Sequence, residues 1–320
     1  MSIQSAIANL VIRWQFKRKG KGPLTLKALY GARKNVDALA AKYPPPPADI
    51  KHTPVPADAA KGLCPAEWLS VANPRRTVVY FHGGGYFFCS LATHRPTCAY
   101  LARTAQARVL SVDYRMAPEN PFPAAVDDAV AWWKALLAQG ILPSEVVFGG
   151  DSAGGGLALA ACLAARDQGL PLPAGLLLFS PWTDLTCAGE TMLTMAKADV
   201  MFNPHALPEA AAFYLNGAPA TEPLASPLFG DLTGFPPMLV FASEHEVLLS
   251  DSVRLVEKAN SVDVDVTFKT RRRMPHVWPT MVMLPEGRAD LKLSGQFVMA
   301  RTTSSSAPAN KAPNARAHAA

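Results

Sequence analysis

The 320-residue sequence has no apolar run of 18 residues and only five cysteines, none of them in CxxC spacing. The first absence argues against a transmembrane helix. The odd number of cysteines, mostly in apolar surroundings, argues against structural zinc and favours a reducing compartment. A secretory signal is not expected, because the apolar stretch Ile3–Trp14 precedes its positive charges and no small-residue cleavage site follows. We therefore expect a cytoplasmic protein.

Acidic residues are absent from both ends of the chain. Residues 1–22 contain five basic residues and no acid, and the segment from Arg301 onward contains three more basic residues. Without these eight charges, the formal net charge of +6 would become about −2. The net positive charge therefore comes from the two ends of the chain. Because the rest of the chain is not basic, we predict no nucleic-acid partner.

The first 50 residues have two helical patterns, and we interpret residues 1–50 as an N-terminal helical cap segment. The second pattern, over residues 24–42, ends at a run of four prolines that forms a stiff connector. The first pattern places five apolar residues on one face: Ile3, Ile7, Leu10, Val11 and Trp14. The favoured interpretation is a helix that covers the rest of the protein and leaves a solvated basic end. Contact of residues 1–22 with a membrane surface is the alternative.

Short apolar strands alternate with helices from Thr77 onward. The predicted strands are Thr77–Phe81, Val109–Val112, Val146–Phe148, Leu176–Phe179, Met238–Phe241 and Val262–Phe268. The predicted helices are Pro96–Thr104, Ala124–Gln139, Ala153–Gln168 and Asp251–Asn260. This alternation predicts an α/β fold with a mostly parallel central sheet and helices on both faces. We assign residues 51–300 to this domain, with a helical cap insertion at about 185–225 and a disordered tail at 301–320.

The segment Gly150-Asp151-Ser152-Ala153-Gly154 fits the pattern G-x-S-x-G between a predicted strand and a predicted helix. A strand-to-helix reversal this sharp puts the central residue in a strained backbone conformation, and its neighbours two positions away must lack side chains. The hydroxyl of Ser152 is then exposed to substrate as a nucleophile. The alternative is a glycine-rich turn that allows close helix packing or binds phosphate, although neither phosphate-loop pattern is present.

A serine hydroxyl needs a base that takes its proton, and that base should follow it in the chain. Four histidines follow Ser152: His205, His245, His276 and His318. His318 lies in the predicted tail, His205 in the insertion and His245 at the end of a strand. His276 follows the last predicted strand and is flanked by proline, which suits a loop at the edge of the sheet. We predict that His276 is the base.

An acid between Ser152 and His276 should orient the base. Glu244, Glu246 and Asp251 follow the strand Met238–Phe241. We prefer Glu246, which lies in the turn after the strand, because Asp251 is better placed to cap the next helix. Asp251 remains the alternative acid.

The negative charge that develops on a substrate carbonyl oxygen needs hydrogen-bond donors. His82-Gly83-Gly84-Gly85-Tyr86 follows the first strong strand, and consecutive glycines allow backbone N–H groups to face inward. Together with the N–H of Ala153 they would form an oxyanion hole, in which each donor is worth about 3 to 4 kcal/mol in the transition state. His82 is interpreted as a structural residue hydrogen-bonded within this loop.

Four segments together resemble the bacterial hormone-sensitive-lipase-like esterases of the α/β-hydrolase fold. They are His82-Gly83-Gly84-Gly85, Asp113 to Ala125, Gly150 to Gly155, and Met274-Pro275-His276. The resemblance implies a cap built from N-terminal and inserted helices and a carboxylesterase that acts on fairly short acyl esters. It also implies that Gly83, Gly84 and Ala153 are the oxyanion donors.

The sequence departs from this family's pattern in three places. Glu246 stands where the family usually has aspartate, and Cys89 stands where it commonly has glycine. Arg271-Arg272-Arg273 precedes the histidine segment, which tends to be less basic in the family. Arginines close to His276 would lower the pKa of its imidazole, whereas solvent-exposed arginines would do little.

The sequence therefore predicts a serine carboxylesterase for short- to medium-chain acyl esters, working through an acyl-enzyme intermediate and requiring no metal or cofactor. Five residues are candidates for the substrate pocket, although simple packing is an equal alternative: Tyr86, Met201, Phe202, Phe213 and Tyr214. The other hypotheses are a membrane-associated lipase anchored by Ile3–Lys21, and a non-catalytic ligand receptor on the same scaffold, as in plant gibberellin receptors. A homodimer could form by pairing of the exposed last strand.

Overall fold

The computed structural model describes residues 1–18, 24–203 and 205–303. Its eight strands, in chain order, are β1 (Lys51–Val55), β2 (Ala66–Ser70), β3 (Thr77–Phe81), β4 (Arg108–Val112), β5 (Val146–Asp151), β6 (Gly175–Phe179), β7 (Met238–Ser243) and β8 (Val266–Arg271). These described strands form one sheet in the order β1-β2-β4-β3-β5-β6-β7-β8. β2 is antiparallel to both its neighbours, and all the pairs from β4 through β8 are parallel. The predicted mostly parallel α/β fold is confirmed.

Helices cover both faces of the sheet. In the described residues they are α1 (Ile3–Ile12), which continues as a π-helix over Arg13–Arg18, α2 (Leu26–Ala40), α3 (Leu91–Ala105), α4 (Ala124–Ala138), α5 (Ala153–Asp167), α6 (Thr191–Thr194), α7 (Ala206–Leu215), α8 (Leu249–Asn260) and α9 (Pro285–Arg301). One hydrophobic core contains residues of α4, α5 and α8, and the other contains residues of α3 and α9. The sheet therefore separates two cores.

Strand β3 supplies both cores with alternate side chains. Val79 and Phe81 belong to the core under α4 and α5, whereas Val78 and Tyr80 belong to the core under α3 and α9. Successive side chains of a strand point to opposite faces, so a strand covered on both faces is a continuous apolar run. This continuous apolar pattern is why the central strands could be predicted from the sequence.

The parallel register brings the candidate site residues to one edge of the sheet. Phe81 at the end of β3 pairs with Gly150 near the end of β5, and β7, which β6 separates from β5, runs in the same direction. The glycine loop after β3, Ser152 after β5 and the turn after β7 therefore all follow the carboxyl ends of parallel strands. Ligand sites in open α/β sheets form at this edge.

Several element boundaries differ from the sequence prediction. β8 begins at Val266 rather than Val262, because residues 261–263 continue in a turn after α8. α3 begins at Leu91 rather than Pro96, since the side chains of Ser90 and Thr93 form a reciprocal capping box at its start. β1, β2 and α9 were not predicted at all.

Helix α1 lies on the body of the protein with its polar side inward. Of its residues, only Ser5 and Ile12 are buried, while Ile3, Ile7, Leu10 and Val11 are exposed. The favoured interpretation, a helix that covers the protein, is therefore wrong for the apolar face. No helix in the described ranges combines the length and apolar character needed to cross a membrane. The predicted tail beyond residue 303, with His318, and Lys19 and Lys21 lie outside the described residues.

Candidate active site

Ser152 occupies a sharp turn between β5 and α5. Its backbone has φ 53° and ψ −122°, which is a strained conformation for a residue with a side chain. A Cβ atom on Gly150 would lie 2.2 Å from the carbonyl oxygen of Gly154, and one on Gly154 would lie 2.0 Å from that of Phe81. The strained serine and the steric need for both glycines, predicted from the motif, are confirmed.

His276 and Glu246 form a buried hydrogen-bonded pair. His276 Nδ1 lies 2.8 Å from Glu246 Oε2, and the second carboxylate oxygen accepts the backbone N–H of Ser243 at 3.1 Å. Glu246 is 0% exposed and His276 is 2% exposed. No described residue hydrogen-bonds to His276 Nε2, although this atom is excluded from solvent. The carboxylate thus orients the ring and leaves Nε2 as the nitrogen that is open for proton transfer.

Asp251 does not contact the imidazole of His276. Its carboxylate accepts the backbone N–H groups of Thr183 and Asp184, both at 2.9 Å, and lies 3.3 Å from Arg254 Nη2. Burial raises the pKa of Asp251 to about 7. The alternative acid is therefore excluded by position, because Asp251 anchors the loop after β6 to the start of α8.

Two serines fix the loop that carries His276. Ser243 Oγ donates to the carbonyl oxygen of Met274 at 2.6 Å, and Ser180 Oγ accepts the N–H of Val277 at 3.2 Å. Ser180 follows β6, between two residues that bond to the backbone of the nucleophile: Phe179, which accepts the Ser152 N–H, and Trp182, which donates to the Ser152 carbonyl. The same corner of the fold therefore holds both the serine and the histidine. No sequence motif marks these supporting serines.

The arginines before the histidine segment interact elsewhere. Arg271 Nη2 donates to Asp290 Oδ1 at 2.8 Å. Arg272 is 75% exposed in its side chain and lies 3.5 Å from Glu244. Arg273 is also exposed. Of the two arrangements considered from the sequence, the structure therefore shows arginines that are solvent-exposed or paired with carboxylates.

The glycine loop after β3 uses one of its predicted oxyanion donors for another purpose. The N–H of Gly83 donates to Asp151 Oδ1 at 3.1 Å, so the assignment of Gly83 as an oxyanion donor is wrong for this structure. The N–H groups of Gly84 and Ala153 have no hydrogen-bond acceptor among the described residues. Gly84 has φ 112°, and a Cβ atom there would lie 2.1 Å from the carbonyl oxygen of Phe88. The loop thus requires glycine at this position, and the N–H of Gly84 is available together with that of Ala153 at the start of α5.

Asp151 joins the glycine loop to the turn that carries Ser152. Besides Gly83, its carboxylate accepts the hydroxyl of Tyr80 at 2.8 Å and lies 3.3 Å from His94 Nε2. Burial raises the pKa of this carboxyl, but attraction to His94 and these hydrogen bonds outweigh burial and hold it below its ordinary value. The buried carboxylate is therefore ionised. It was missed in the sequence although it precedes the serine directly.

His82 is packed inside the glycine loop. Its Nδ1 lies 2.8 Å from the carbonyl oxygen of Gly83, and its ring stacks on Tyr114 at 4.4 Å between centroids. Burial lowers the pKa of His82 to about 4, so the ring is neutral near pH 7. The structural position predicted for His82 is confirmed.

The described residues contain no group of three or more His, Cys, Asp or Glu side chains arranged to hold a metal ion.

The five predicted pocket residues lie in different surroundings. The ring of Phe202 meets that of His276 edge to face, with centroids 4.9 Å apart. Tyr86 and Tyr214 are buried and stack on each other at 3.7 Å. Phe213 is half-buried against the core under α4 and α5, and Met201 is half-buried beside Phe202 in the chain. Phe202 is therefore the member of this set whose ring packs on His276.

Asp199 connects the inserted segment to the turn that carries Glu246. Its carboxylate accepts the backbone N–H groups of Met201 and Phe202 through one oxygen and that of Val247 through the other, at 2.6, 2.9 and 2.9 Å. It is 1% exposed. Asp199 therefore positions Phe202 against His276. No sequence motif marks it, since its partners are backbone groups from two distant segments.

Comparison with known proteins identifies the family. Residues 78–280 match the family described as having the alpha/beta hydrolase fold. An acetyl-hydrolase of Streptomyces hygroscopicus is 44% identical over 243 residues, which are 75% of this chain and 81% of that protein. An esterase of Acinetobacter venetianus is 38% identical over 235 residues, 73% of this chain and 76% of that protein.

Solved structures agree with the sequence relatives. The crystal structure of an esterase from the bacterial hormone-sensitive lipase family is 38% identical and superposes with a TM-score of 0.86, covering 95% of this chain and 99% of that one. The family match over residues 78–280 spans the positions of the glycine loop, the nucleophile turn and the histidine loop described above. The chain belongs to the hormone-sensitive-lipase-like esterases of the α/β-hydrolase fold, and it is a carboxylic ester hydrolase.

Proposed function

We propose that Ser152, His276 and Glu246 carry out the ester hydrolysis. The observation that carries this assignment is the buried Glu246–His276 hydrogen bond with the other imidazole nitrogen left open. His276 Nε2 takes the proton of the Ser152 hydroxyl as its oxygen attacks the ester carbonyl, and then gives that proton to the leaving alcohol. Water, deprotonated by the same imidazole, attacks the acyl-enzyme, releases the acid and restores Ser152.

The N–H groups of Gly84 and Ala153 are the donors that we assign to the oxyanion. Both come from rigid backbone at the ends of β3 and β5, so they need no reorganisation when charge develops. Gly83 supports them from behind, because its N–H is held by the ionised carboxylate of Asp151. The open Nε2 bonds to Ser152 once substrate is bound, since catalytic hydrogen bonds often tighten only in the substrate complex.

We further propose short acyl esters, acetyl esters among them, as the preferred substrates. The relative from Streptomyces hygroscopicus is an acetyl-hydrolase. In this chain bulky aromatic side chains already occupy the surroundings of the site, with Phe202 against His276 and Tyr86 stacked on Tyr214. The elements before Lys51 and those in residues 185–225 act as the cap that limits substrate size. We propose a cytoplasmic location, supported by five cysteines that are all free thiols.

Hydrolysis of p-nitrophenyl esters from acetate to decanoate tests the assignment. We expect kcat/KM to be highest among the short esters and to fall towards decanoate. Ser152→Ala should lower kcat by about 10⁴-fold or more, because the covalent step is lost. Ser70→Ala is the matched control, since Ser70 is the last residue of β2 and its Oγ donates to the carbonyl oxygen of the next residue, Val71. Activity retained in Ser152→Ala would reject the mechanism.

The ligand-receptor hypothesis makes the opposite prediction for turnover. Such receptors lack the catalytic histidine, whereas His276 is present here and bonded to Glu246. A receptor would bind esters without releasing p-nitrophenol in the same assay. The same three residues can also cleave amides, so p-nitroanilides of the same acyl groups belong in the substrate panel.

A further inference from the structure

Helix α1 presents its apolar side to solvent. Ile3, Ile7 and Leu10 are 78%, 57% and 69% exposed, and Trp14 in the following π-helical turn is 51% exposed. Their spacing of four, three and four residues places them in one row along the helix. Large apolar side chains scattered singly on a surface are ordinary, but a contiguous row indicates an interaction surface.

Polar contacts fix α1 in this orientation. The hydroxyls of Ser2 and Ser5 donate to Glu286 Oε2 at 2.9 and 2.8 Å. Asn9 Nδ2 donates to the carbonyl oxygen of Arg273 at 2.9 Å. Arg13 Nη2 donates to that of Ala198 at 3.2 Å. Turning the apolar row inward would break all of these hydrogen bonds, so the outward row belongs to the folded state.

Positive charge surrounds the apolar row. Arg13 bonds to carbonyl oxygens rather than to a carboxylate, so its charge is not neutralised there. Arg272 and Arg273 are exposed beside the loop that Asn9 contacts. The nearby carboxylates are engaged, Glu286 with the serines of α1 and Glu244 with Thr270 and Arg272.

A cavity between α1 and the body opens within this positive region. Its volume is about 360 Å³, and its lining includes Arg13, His245 and Arg273 together with apolar side chains such as Leu10 and Met274. Cationic groups beside an apolar wall match the chemistry of a phospholipid, in which an anionic phosphate adjoins acyl chains. A second copy of the chain fits less well, because two such helices would bring like charges together.

We propose that α1 and the arginine turn at Arg272-Arg273 form a docking surface for membranes rich in anionic phospholipid. The row of Ile3, Ile7, Leu10 and Trp14 enters the boundary between headgroups and acyl chains, and the basic residues contact the phosphates. An amphipathic helix that lies in the interface gains affinity from both contributions. Docking there would bring the esterase to substrates that are dissolved in the lipid.

Co-sedimentation with sucrose-loaded vesicles tests the proposal on the full chain. Vesicles of phosphatidylcholine with 30% phosphatidylglycerol, an experimental choice of about one anionic lipid in three, should sediment the protein. Pure phosphatidylcholine vesicles should bind at least about fivefold more weakly, and high salt should weaken binding further. Leu10→Glu should reduce binding to anionic vesicles about tenfold or more, because a charged group replaces an inserted leucine.

Leu142→Glu is the matched control. Leu142 is 55% exposed and precedes β5, at the edge of the sheet opposite the glycine loop and Ser152. This variant carries the same charge change and should bind vesicles as the unmodified chain does. Both variants should unfold in urea at the same midpoint as the unmodified chain. This measurement shows that each variant is folded without using the activity, so it separates this test from that of the proposed mechanism.

Two results would overturn the proposal. One is equal sedimentation of the unmodified chain and of Leu10→Glu, or no sedimentation of either. The other is a dimer, detected by analytical ultracentrifugation in the absence of lipid, that Leu10→Glu dissociates. The apolar row would then be an interface between copies of the chain.

Discussion

Each of the two carboxylate oxygens of Glu246 makes one hydrogen bond. Oε1 accepts the N–H of Ser243 in the turn, and Oε2 accepts from His276. A carboxylate in this position stabilises the imidazolium that forms during the reaction and keeps the ring in the right tautomer. Glutamate replaces the aspartate that is usual in the family, and the turn after β7 accommodates its extra methylene.

Replacing Glu246 with glutamine should reduce catalysis while preserving the shape of the site. We expect Glu246→Gln to lower kcat by about 10³- to 10⁴-fold, because the amide removes the charge that stabilises the protonated imidazole. Glu244→Gln is the control, since Glu244 lies two residues away and pairs with the exposed Arg272. Steady-state kinetics with p-nitrophenyl butyrate measure both. Equal activity in the two variants would contradict the assignment of the acid.

Asp251 should make the stability of the protein depend on pH. Its folded-state pKa of about 7 lies above that of an unfolded aspartate, because the carboxyl is buried. Between these two values the folded state binds more protons than the unfolded state, so the free energy of unfolding falls as pH rises through this window. At about 1.4 kcal/mol per pKa unit, the loss between pH 5 and pH 8 is on the order of 2 kcal/mol.

Urea unfolding at these two pH values measures this effect. In Asp251→Asn the amide oxygen can still accept the N–H groups of Thr183 and Asp184, but no proton is bound, so this part of the pH dependence should disappear. Asp167→Asn is the control, because Asp167 is 61% exposed in its side chain. The idea fails if the difference between pH 5 and pH 8 is the same in Asp251→Asn as in the unmodified chain.

Functional side chains that stand in a sequence motif could be predicted more reliably than those that work by hydrogen-bonding to backbone groups. Ser152 and His276 stand in recognisable segments, and Glu246 follows from the order of the elements. Gly83 was misassigned because the competing acceptor for its N–H, the carboxylate of Asp151, becomes apparent only when β3 and β5 lie side by side. Asp199 was missed because its partners are backbone groups that the fold brings together from distant segments.

At the scale of elements, α2 is fastened to the loop that continues from the glycines. Arg33 Nε donates to the carbonyl oxygen of Phe87 at 3.0 Å, and Nη2 donates to that of Ala117 at 2.9 Å. Ala117 in turn donates its N–H to the carbonyl of Tyr86. One guanidinium therefore joins the loop that supplies Gly84 to the segment that follows β4.

Loss of the two hydrogen bonds from Arg33 to backbone carbonyls should lower kcat/KM more than loss of the exposed ion pair between Arg33 and Glu119 does. Arg33→Gln loses the fixed fork of donors, and we expect kcat/KM to fall about tenfold as the loop shifts. Glu119→Gln removes only the partner at 2.6 Å, whose side chain is 42% exposed, and should change kcat/KM less than about twofold. Comparable losses in both variants would show that the ion pair, not the carbonyl brace, is what matters.

Elements were predictable where the chain buries a continuous or periodic apolar pattern. β3 and β6 are buried throughout and, apart from Thr77, contain no polar side chain other than the Tyr80 hydroxyl, because both faces of each strand are covered. β1 has the sequence Lys-His-Thr-Pro-Val and lies at an edge of the sheet. Its composition therefore does not predict a strand that pairs with β2. α9 was missed because its apolar residues are spread around the helix between α3 and the end of the sheet.

At the scale of the whole molecule, the sheet ends in two unlike edges. β1 contains Pro54, which cannot donate to a further strand, and proline is one way in which edge strands avoid pairing. β8 has six residues and no proline. Of the two edge strands, β8 is therefore the one that we expect to pair with its copy in the predicted homodimer.

The backbone of β8 shows where this pairing can be blocked. The carbonyls of Asp265 and Arg271 accept from Met238 and Glu244, so odd-numbered residues direct their backbone groups towards β7. Even-numbered residues direct theirs outward, because the direction alternates along a strand. Thr270 therefore offers an N–H to a second chain, and its side chain is exposed.

We propose that Thr270→Pro prevents the predicted pairing of β8 between two copies of the chain. Proline removes the outward N–H and leaves the hydrogen bonds between β7 and β8 intact. Thr270→Ala is the matched control, since it removes the same hydroxyl, which donates to Glu244 at 3.0 Å, but keeps the N–H. Sedimentation equilibrium should give a dimer for the unmodified chain and for Thr270→Ala, and a monomer for Thr270→Pro. A monomer in all three, or a dimer in all three, would show that β8 is not the interface.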